Sequence, residues 1–591
     1  MASTREKLLV TTAIKETHLR KENEEIFFLG EWCKDYKFKH LLEESDIVID
    51  CHLKDRDKFK DNYVYLNEFN ERVLLSIVNL LNNYHHENKT VKYWRIIIGP
   101  WLLTYVSSVW DHWESLRIAC DKYSFDKTVL LNESLHKRVP PLNHSDAVNL
   151  ITNSHLWNHM LYSKILKAQY DNDIEFIYIN YYKTSPFQKS ASNNRKMSLK
   201  YNIFSWIDRF IGVVRKNEKT VFFNTFFSFS SLIKICLNLK LLPRLHVEFN
   251  KDIKMPKASK RSEFLLDFKE NNQFELFIKN DIIQNIPVSY VEGYNIIYDN
   301  VKNLSKKCEV IFTANSYWSN DMFKTFCANK VELGKKLIIS GHGGAIGFKY
   351  TNFSHEEKIS DIYAVWHKVL GKNQVQVQPN KITNKRMCKK IGANLLILGI
   401  QQPLYIRTYQ SGIRSSLVLE DYNQKISFIK SLNNDVQKLV KIRTFDDCGW
   451  NTRQRYIDDL SPNNISSNVS LKEDFNDARI IICTYPQTTF LEAMHSKVPT
   501  ILLYKREYYE FHPKYKKLVE SLEEAKILFS NPNDASDHVN KIWENPELWW
   551  DQPLVISARV MFFEHCGYVD KDWLDSWVSF FRETGESKIT A

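Results

Sequence analysis

The segment from Ile480 to Tyr504 constrains the fold of this chain most. Two apolar runs, 480–483 and 500–504, flank a polar turn and a short stretch with the composition of a helix. Strands that are apolar on both faces are typical of a parallel sheet covered by helices. The sequence therefore predicts a strand–turn–helix–turn–strand unit, and with it an α/β fold.

The turn before this helix carries Gln487, Thr488 and Thr489. A helix that begins at the carboxyl end of a parallel strand presents free backbone N–H groups and a partial positive charge, which suit a phosphate. The spacing of Thr489 and Glu492 also fits a capping box, with Thr489 as the N-cap. An ordinary βαβ unit without a ligand explains the same residues, so the pattern alone leaves both interpretations open.

A second segment is a predicted strand, 336–340, that runs into a loop containing Gly341, His342, Gly343 and Gly344. The chain has only 16 glycines in 591 residues, so this cluster indicates a backbone that needs positive φ or close approach to a ligand. His342 is the only side chain within these four residues and is expected to project into the space that the loop frames. It is a candidate general base, a candidate phosphate ligand, or a turn residue bonded to a carbonyl.

Both segments resemble parts of two-domain (GT-B) glycosyltransferases. The resemblance is closest to bacterial surface-polysaccharide enzymes that use CMP- or CDP-activated donors, such as sialyl- and Kdo-type capsule transferases and glycerophosphotransferases. Further segments resemble a family of transferases encoded in surface-carbohydrate loci: Leu8–His18, Phe28–Cys33, Gly99–Leu102, Trp157-Asn158, Ser360–Tyr363, Val440–Arg443 and Gly449-Trp450. One position departs from that family, because His367 stands after Trp366 where a glycine is expected.

The resemblance implies two Rossmann-like domains facing across a cleft, with helical insertions and a C-terminal helical region. It implies a glycosyltransferase that moves a sugar from a nucleotide-activated donor, with a CMP-sugar favoured, to a surface-polysaccharide or glycolipid acceptor. Neither a metal nor a cofactor is expected. In such enzymes the paired hydroxyl residues, here Thr488 and Thr489, bind the donor phosphate, and Gly343, Gly344 and Gln487 are expected beside them. The alternatives are a polyol-phosphate transferase of the CDP-glycerol type, a nucleotide-sugar epimerase, and a non-catalytic polysaccharide-assembly protein.

Four charged residues are further candidates. Glu356 and Asp361 follow the glycine loop and are expected either to orient its histidine, to act as the base, or merely to favour a solvated helix start. Arg443 ends a predicted strand at its carboxyl edge, where it would clamp a phosphate or form an interdomain salt bridge. Glu492 is a ribose ligand by analogy with GT-B enzymes, or only part of the capping box.

Net charge and the remaining motifs narrow the range of possible ligands and partners. The formal net charge is +11, which indicates either a solvated basic surface or attraction to anionic donors and to an acidic membrane leaflet. Asp171-Asn-Asp173 has the shape of a metal-binding triplet, but a strand should precede that motif and here follows it, so we discount it. No nucleic-acid-binding motif is present. The first residues lack the apolar core of a signal peptide, so a cytoplasmic protein is expected, with peripheral contact at the inner membrane face left open.

The pattern of apolar segments predicts the domain organisation. A strand is expected over Trp94–Gly99 and a helix over Trp101–Lys122, and strands again over 394–398 and 440–443. The predicted parts are an N-terminal α/β domain on the acceptor side (1–375, with helical insertions at about 135–305), a linker (376–393), a C-terminal α/β domain that binds the nucleotide donor (394–535), and C-terminal helices that pack back on the N-terminal domain (536–591).

Overall fold

The computed structural model describes residues 5–18, 23–132, 139–181, 208, 219–343, 347–382, 392–445 and 447–586. The described residues form fifteen strands: β1 Glu6–Val10, β2 Glu24–Phe28, β3 Ile47–Val48, β4 Lys127–Leu131, β5 Glu175–Ile179, β6 Thr220–Phe222, β7 Val310–Thr313, β8 Lys336–Ser340, β9 Ile362–Val365, β10 Gln374–Gln376, β11 Asn394–Leu398, β12 Val440–Arg443, β13 Ala478–Cys483, β14 Thr500–Leu503 and β15 Leu528–Phe529.

The α-helices in the same ranges lie between and after these strands. They are α1 Arg56–His85, α2 Val91–Lys122, α3 His144–Asn153, α4 His155–Gln169, α5 Phe229–Asn238, α6 Gln273–Asp281, α7 Tyr294–Val301, α8 Ser316–Ser319, α9 Asp321–Glu332, α10 His355–Ile359, α11 Leu417–Lys430, α12 Asn434–Gln437, α13 Thr452–Asp459, α14 Leu471–Asp477, α15 Thr488–His495, α16 Lys516–Glu524, α17 Pro532–Ile542, α18 Pro546–Trp550, α19 Pro553–His565 and α20 Trp573–Glu586.

The strands form three five-stranded sheets, in which every described pair is parallel. The N-terminal sheet has the order β3-β2-β1-β4-β5, the middle sheet runs in chain order from β6 to β10, and the C-terminal sheet has the order β12-β11-β13-β14-β15. The predicted α/β class, with Rossmann-like domains facing across a cleft, is confirmed. The predicted N-terminal α/β domain, 1–375, contains two of these sheets.

One predicted strand is wrong. Trp94–Gly99 lies inside α2, a 32-residue helix that also contains Pro100. The run is apolar because α2 is buried on almost every side, where it packs against α1, α3, α4 and α9. A helix buried all round has no polar face, so its local pattern is that of a buried strand.

The last helix, α20, packs on the middle sheet. Trp577 and Phe581 belong to one apolar cluster with Phe222, Phe312 and Ile338 of that sheet. The ring of Phe581 lies 5.0 Å from the rings of both Phe222 and Phe312. The chain therefore returns from the C-terminal sheet to cover the middle one.

The middle and C-terminal sheets are also joined beside the glycine loop. The backbone N–H of Lys349 donates to the carbonyl of Glu510 at 2.8 Å, and that of His512 donates to the carbonyl of Gly347 at 2.8 Å. This short antiparallel contact holds the loop after β8 against the C-terminal domain. Within the described ranges, no helix is both long and apolar enough to cross a membrane.

Candidate active site

A cavity of about 410 Å³ lies between the middle and C-terminal sheets. Most of its residues come from the segments that follow the carboxyl ends of β7, β8, β11 and β13, the edge at which open α/β sheets bind ligands, and Tyr363 comes from β9. The lining residues are Asn315, Tyr317, Trp318, His342, Gly343, Phe348, Thr351, Asn352, Glu356, Tyr363, Gln402, Arg407, Thr408, Gln410, Ser411, Arg414, Gln487 and Thr488. The volume is in the range of small-molecule sites, about 300–1,000 Å³.

The glycine loop reaches the start of α15 directly. Gly343 has φ +112°, a conformation that side-chain-bearing residues rarely adopt. A Cβ atom at this position would overlap the side chain of Thr488. The loop therefore needs glycine here for two reasons, its backbone angle and its contact with the other domain. Gly344, predicted as a donor ligand, lies outside the described residues.

His342 is half-buried at the cavity wall, with its ring 6.1 Å from that of Phe226. Burial lowers the pKa of its imidazole to about 4, with the positive charges of Arg407 and Lys381 contributing in the same direction. The ring is therefore neutral at physiological pH and is able to accept a proton. No hydrogen-bond partner for it lies among the described residues, so both nitrogens are available to a ligand.

The predicted capping box is wrong. Helix α15 begins at Thr488 with Gln487 as its N-cap, and no side chain caps it. Thr489, one residue further on, shares a hydrogen bond with the hydroxyl of Tyr485. Gln487 and Thr488 both line the cavity, whereas Thr489 is not among the lining residues. The helix starts one residue earlier than the spacing suggested, and only the first threonine of the pair borders the cavity.

Glu492 lies one turn further along α15. It is buried and its carboxylate is 3.4 Å from Nζ of Lys381, and it does not line the cavity. Its predicted role as a ribose ligand has no support from this geometry, because its carboxylate is engaged by a lysine outside the cavity.

Glu356 and Asp361 lie at opposite ends of the segment that contains α10. Glu356 is 7% exposed, lines the cavity, and accepts hydrogen bonds from the hydroxyl of Tyr317 at 2.8 Å and the amide of Asn352 at 3.1 Å. Asp361 accepts from Lys92 and from the backbone N–H of Leu337, at the amino end of β8. Asp361 is not among the lining residues, and its predicted role at the site has no support from this geometry.

Arg443 does not face the cavity either. Its guanidinium pairs with the buried carboxylate of Asp474 and donates to the carbonyls of Asn468 and Val469. It ends β12, an edge strand of the C-terminal sheet. Arg443 thus forms a salt bridge within the C-terminal α/β region, and neither the interdomain salt bridge nor the phosphate clamp has support from this geometry.

Two cationic residues of the cavity, Arg407 and Arg414, were not expected from the sequence. They lie on the loop between β11 and α11, and β11 is paired with β13 at the centre of the C-terminal sheet. The order of strands reverses at this pair, and ligands bind at such a switch point. The strand order is set by long-range pairing, so the sequence offers no local signal that selects these arginines.

The described residues contain no group of three or more histidine, cysteine, aspartate or glutamate side chains placed to hold a metal ion. Asp171 and Asp173 belong to the turn before β5, away from the cavity lining.

Comparison with known proteins places the chain in a family. No curated protein matches the sequence. Two solved structures are similar to it at low level: MurG from Acinetobacter baumannii (10% identity, 62% of this chain and 100% of that chain, TM-score 0.33) and the spinosyn forosaminyltransferase SpnP (9% identity, 63% of this chain and 100% of that chain, TM-score 0.33). The family model of the LIC12162 family transferases matches residues 7–581, and the chain therefore belongs to that family.

Proposed function

We propose that this transferase is a GT-B glycosyltransferase that moves a sugar from a nucleotide-activated donor to a glycan or glycolipid acceptor. The observation that carries the proposal is the convergence of the two sequence segments on one cavity. His342 and Gly343 reach it from the middle sheet, and Gln487 and Thr488 reach it from the C-terminal sheet. A cleft closed by two domains aligns two substrates and excludes water, as transfer to an acceptor rather than to water requires.

In this proposal the start of α15 binds the donor phosphate. The free N–H groups of its first turn and the hydroxyl of Thr488 donate hydrogen bonds to phosphate oxygens. As the acceptor oxygen bonds to the anomeric carbon, the bond from that carbon to the phosphate oxygen breaks, and the nucleotide leaves with the electron pair. The helix N-terminus stabilises the charge that develops on this oxygen.

His342 is the proposed general base of the reaction. Its neutral imidazole takes the proton of the acceptor hydroxyl as the new glycosidic bond forms. Glu356 is proposed as a positioning residue, because its carboxylate already holds Tyr317 and Asn352 at the cavity wall.

The favoured donor is a CMP-sugar, with a surface-polysaccharide or glycolipid acceptor. Both follow from the resemblance of the two motif segments to capsule transferases. The net charge of +11 supports attraction to anionic donors and peripheral contact with an acidic membrane leaflet. We also propose that catalysis needs no metal, since cationic side chains and the helix N-terminus supply the positive charge.

The full-length protein incubated with CMP-, CDP- and UDP-sugars tests the proposal, with thermal shift and donor hydrolysis as readouts. We expect one donor class to raise the melting temperature and to be hydrolysed slowly without acceptor. Turnover should persist in EDTA. Activity abolished by EDTA and restored by manganese or magnesium would contradict the metal-independent mechanism. Release of a nucleotide-linked epimer would indicate an epimerase. Transfer of a polyol phosphate would indicate a transferase of the CDP-glycerol type. Donor binding without turnover would indicate a non-catalytic assembly protein.

A further inference from the structure

Two arginines of the cavity have no carboxylate partner. Arg414 is 7% exposed, and its Nη1 donates to the carbonyl of Ile413 at 2.9 Å. The guanidinium of Arg407 lies 4.9 Å from the centre of the Trp318 ring. Across the described residues, no carboxylate lies within ion-pair distance of either arginine.

The other buried arginine among the described residues, Arg261, has a carboxylate partner. Arg261 is almost fully buried, and its guanidinium lies 2.7 Å from the carboxylate of Glu292. Arg56 pairs with Glu510 at 2.5 Å. A buried charge without a partner is costly, because its hydration is lost and nothing replaces it. Arg414 is therefore an exception among the buried arginines described, and the exposed Arg407 lines the same cavity, where a bound ligand would supply the counter-charge.

The charges of the lining residues also favour an anionic ligand. Glu356 is the one carboxylate among the described lining residues, and Tyr317 and Asn352 already donate to it. Burial lowers the pKa of Arg414 to about 10, and the charge of Arg407 lowers it in the same direction. Both arginines stay protonated at neutral pH, so two like charges share a partly enclosed space. Such a pair attracts an oxyanion, which guanidinium groups bind with parallel hydrogen bonds.

The arginine pair and the helix start are separate features of the chain. Arg407 and Arg414 come from the loop after β11, and Thr488 from the turn after β13. The N–H groups and partial positive charge of the helix start form a site for a single phosphate. Two full charges beside it exceed what that phosphate needs, and the cavity of about 410 Å³ has room for more than one anionic group.

We propose that Arg407 and Arg414 form a second anion subsite, which binds an oxyanion of the donor beyond the phosphate held at Thr488. Two donor chemistries supply such a group: the second phosphate of a nucleoside diphosphate, or the carboxylate of an acidic sugar on a nucleoside monophosphate. This inference rests on the proposed function, since it assigns a class of donor to the same cavity.

Calorimetry on the full-length protein tests the subsite with CMP, UMP, CDP, UDP and CMP-linked sialic acid. We expect the wild type to bind at least one probe with two anions about tenfold or more tighter than the monophosphate of the same base. Arg407→Gln and Arg414→Gln should each remove most of that preference and change monophosphate affinity by less than about threefold. A preference for CDP or UDP identifies the second phosphate, and a preference for CMP-linked sialic acid identifies the carboxylate.

Arg453→Gln is the matched control, because Arg453 is exposed on the same domain and outside the cavity. It should leave every affinity unchanged. If Arg414→Gln does not fold, Arg407→Gln by itself still tests the subsite. Equal weakening of monophosphates and two-anion probes would overturn the proposal, since the arginines would then bind the first phosphate. Unchanged affinities in both variants, or no preference in the wild type, would overturn it as well.

Failure of the proposed function has a different signature. If the wild type binds no nucleotide, that function is wrong, and inorganic diphosphate then probes the subsite by thermal shift. A rise in melting temperature that Arg407→Gln abolishes and Arg453→Gln retains supports the subsite. Absence of any rise in the wild type overturns it.

Discussion

Gly343, which follows the middle sheet, contacts Thr488, which follows strand β13 of the C-terminal sheet. The contact is so close that a Cβ on the glycine would overlap the threonine side chain. Each residue lies in one of the two segments that the sequence singles out. Their contact joins the candidate base and the candidate phosphate site in one cavity. The arrangement makes the glycine a sensitive probe of the whole site.

Gly343→Ala should disrupt this contact. The substitution meets Thr488 and also strains a backbone with φ +112°, which costs roughly 1–2 kcal/mol by itself. We expect nucleotide affinity and turnover to fall at least about tenfold, measured by calorimetry and donor turnover. Gly334→Ala is the control, because Gly334 has φ +74° with open space around it. Equal effects of the two substitutions on turnover would contradict a role for the contact itself.

Thr488→Val should weaken nucleotide binding, because it removes a hydroxyl donor at the phosphate site without changing the shape of the side chain. The expected cost is about 1.5–3 kcal/mol, or roughly tenfold to a hundredfold in Kd. Thr489→Val is the matched variant, since its hydroxyl bonds to Tyr485 instead. It should lower the melting temperature and leave Kd within about threefold. Unchanged affinity in a folded Thr488→Val protein would place the phosphate elsewhere.

His342→Ala should lower kcat by at least about a hundredfold with the fold preserved, as expected for loss of a general base. The lowered pKa of about 4 gives the direction of the pH dependence. The base is active when neutral, so kcat/KM of the wild type should fall only as the pH approaches 4, well below the ordinary value of 6.5. A higher donor KM with near-normal kcat in His342→Ala would instead identify the histidine as a phosphate ligand.

The carboxylates of Glu356 and Asp361 form a matched pair for a third kinetic comparison. Glu356→Gln changes the charge at the cavity wall and should lower kcat/KM about tenfold or more, because it alters the groups that hold Tyr317 and Asn352. Asp361→Asn should leave kcat/KM within about threefold and cost only about 1 kcal/mol of stability through its contacts with Lys92 and Leu337. Stronger loss of turnover in Asp361→Asn would reverse the assignment made from the structure.

His355 should make the fold sensitive to acid. Burial lowers the pKa of this 2% exposed side chain to about 3, with Arg95 and Lys358 acting in the same direction. Between pH 6.5 and 3 this imidazole therefore binds a proton in the unfolded chain but not in the folded protein. The free energy of unfolding falls as the pH falls. The slope from one such group approaches about 1.4 kcal/mol per pH unit.

Denaturation of His355→Gln at several pH values measures this contribution. Its unfolding free energy should depend less steeply on pH below 6.5 than that of the wild type. His40→Gln is the control, because His40 is exposed on the surface. Identical slopes in the wild type and His355→Gln would show that the buried imidazole is not the titrating group.

Local sequence was enough to locate several strands of the middle and C-terminal sheets, among them β8 and β11, whose loops line the cavity. The strands expected over 336–340, 394–398 and 440–443 occur with those bounds. Buried parallel strands are continuous apolar runs that end at polar or glycine-rich turns. They are therefore recognisable from the local sequence without knowing which strands pair with them. The same reasoning fails where burial is complete, and for this reason Trp94–Gly99 has the pattern of a strand and the structure of a helix.

The sequence by itself determined which two segments are the candidates for the chemistry: a histidine in a glycine loop, and a threonine at a helix start after a strand. Only the tertiary structure decided that these segments meet, that Arg443 and Asp361 are engaged elsewhere, and that Arg407 and Arg414 enter the cavity. The physical reason is the range of the interactions. Strand and turn preferences act within a few residues, whereas the order of strands in a sheet and the approach of two domains depend on pairings between distant parts of the chain.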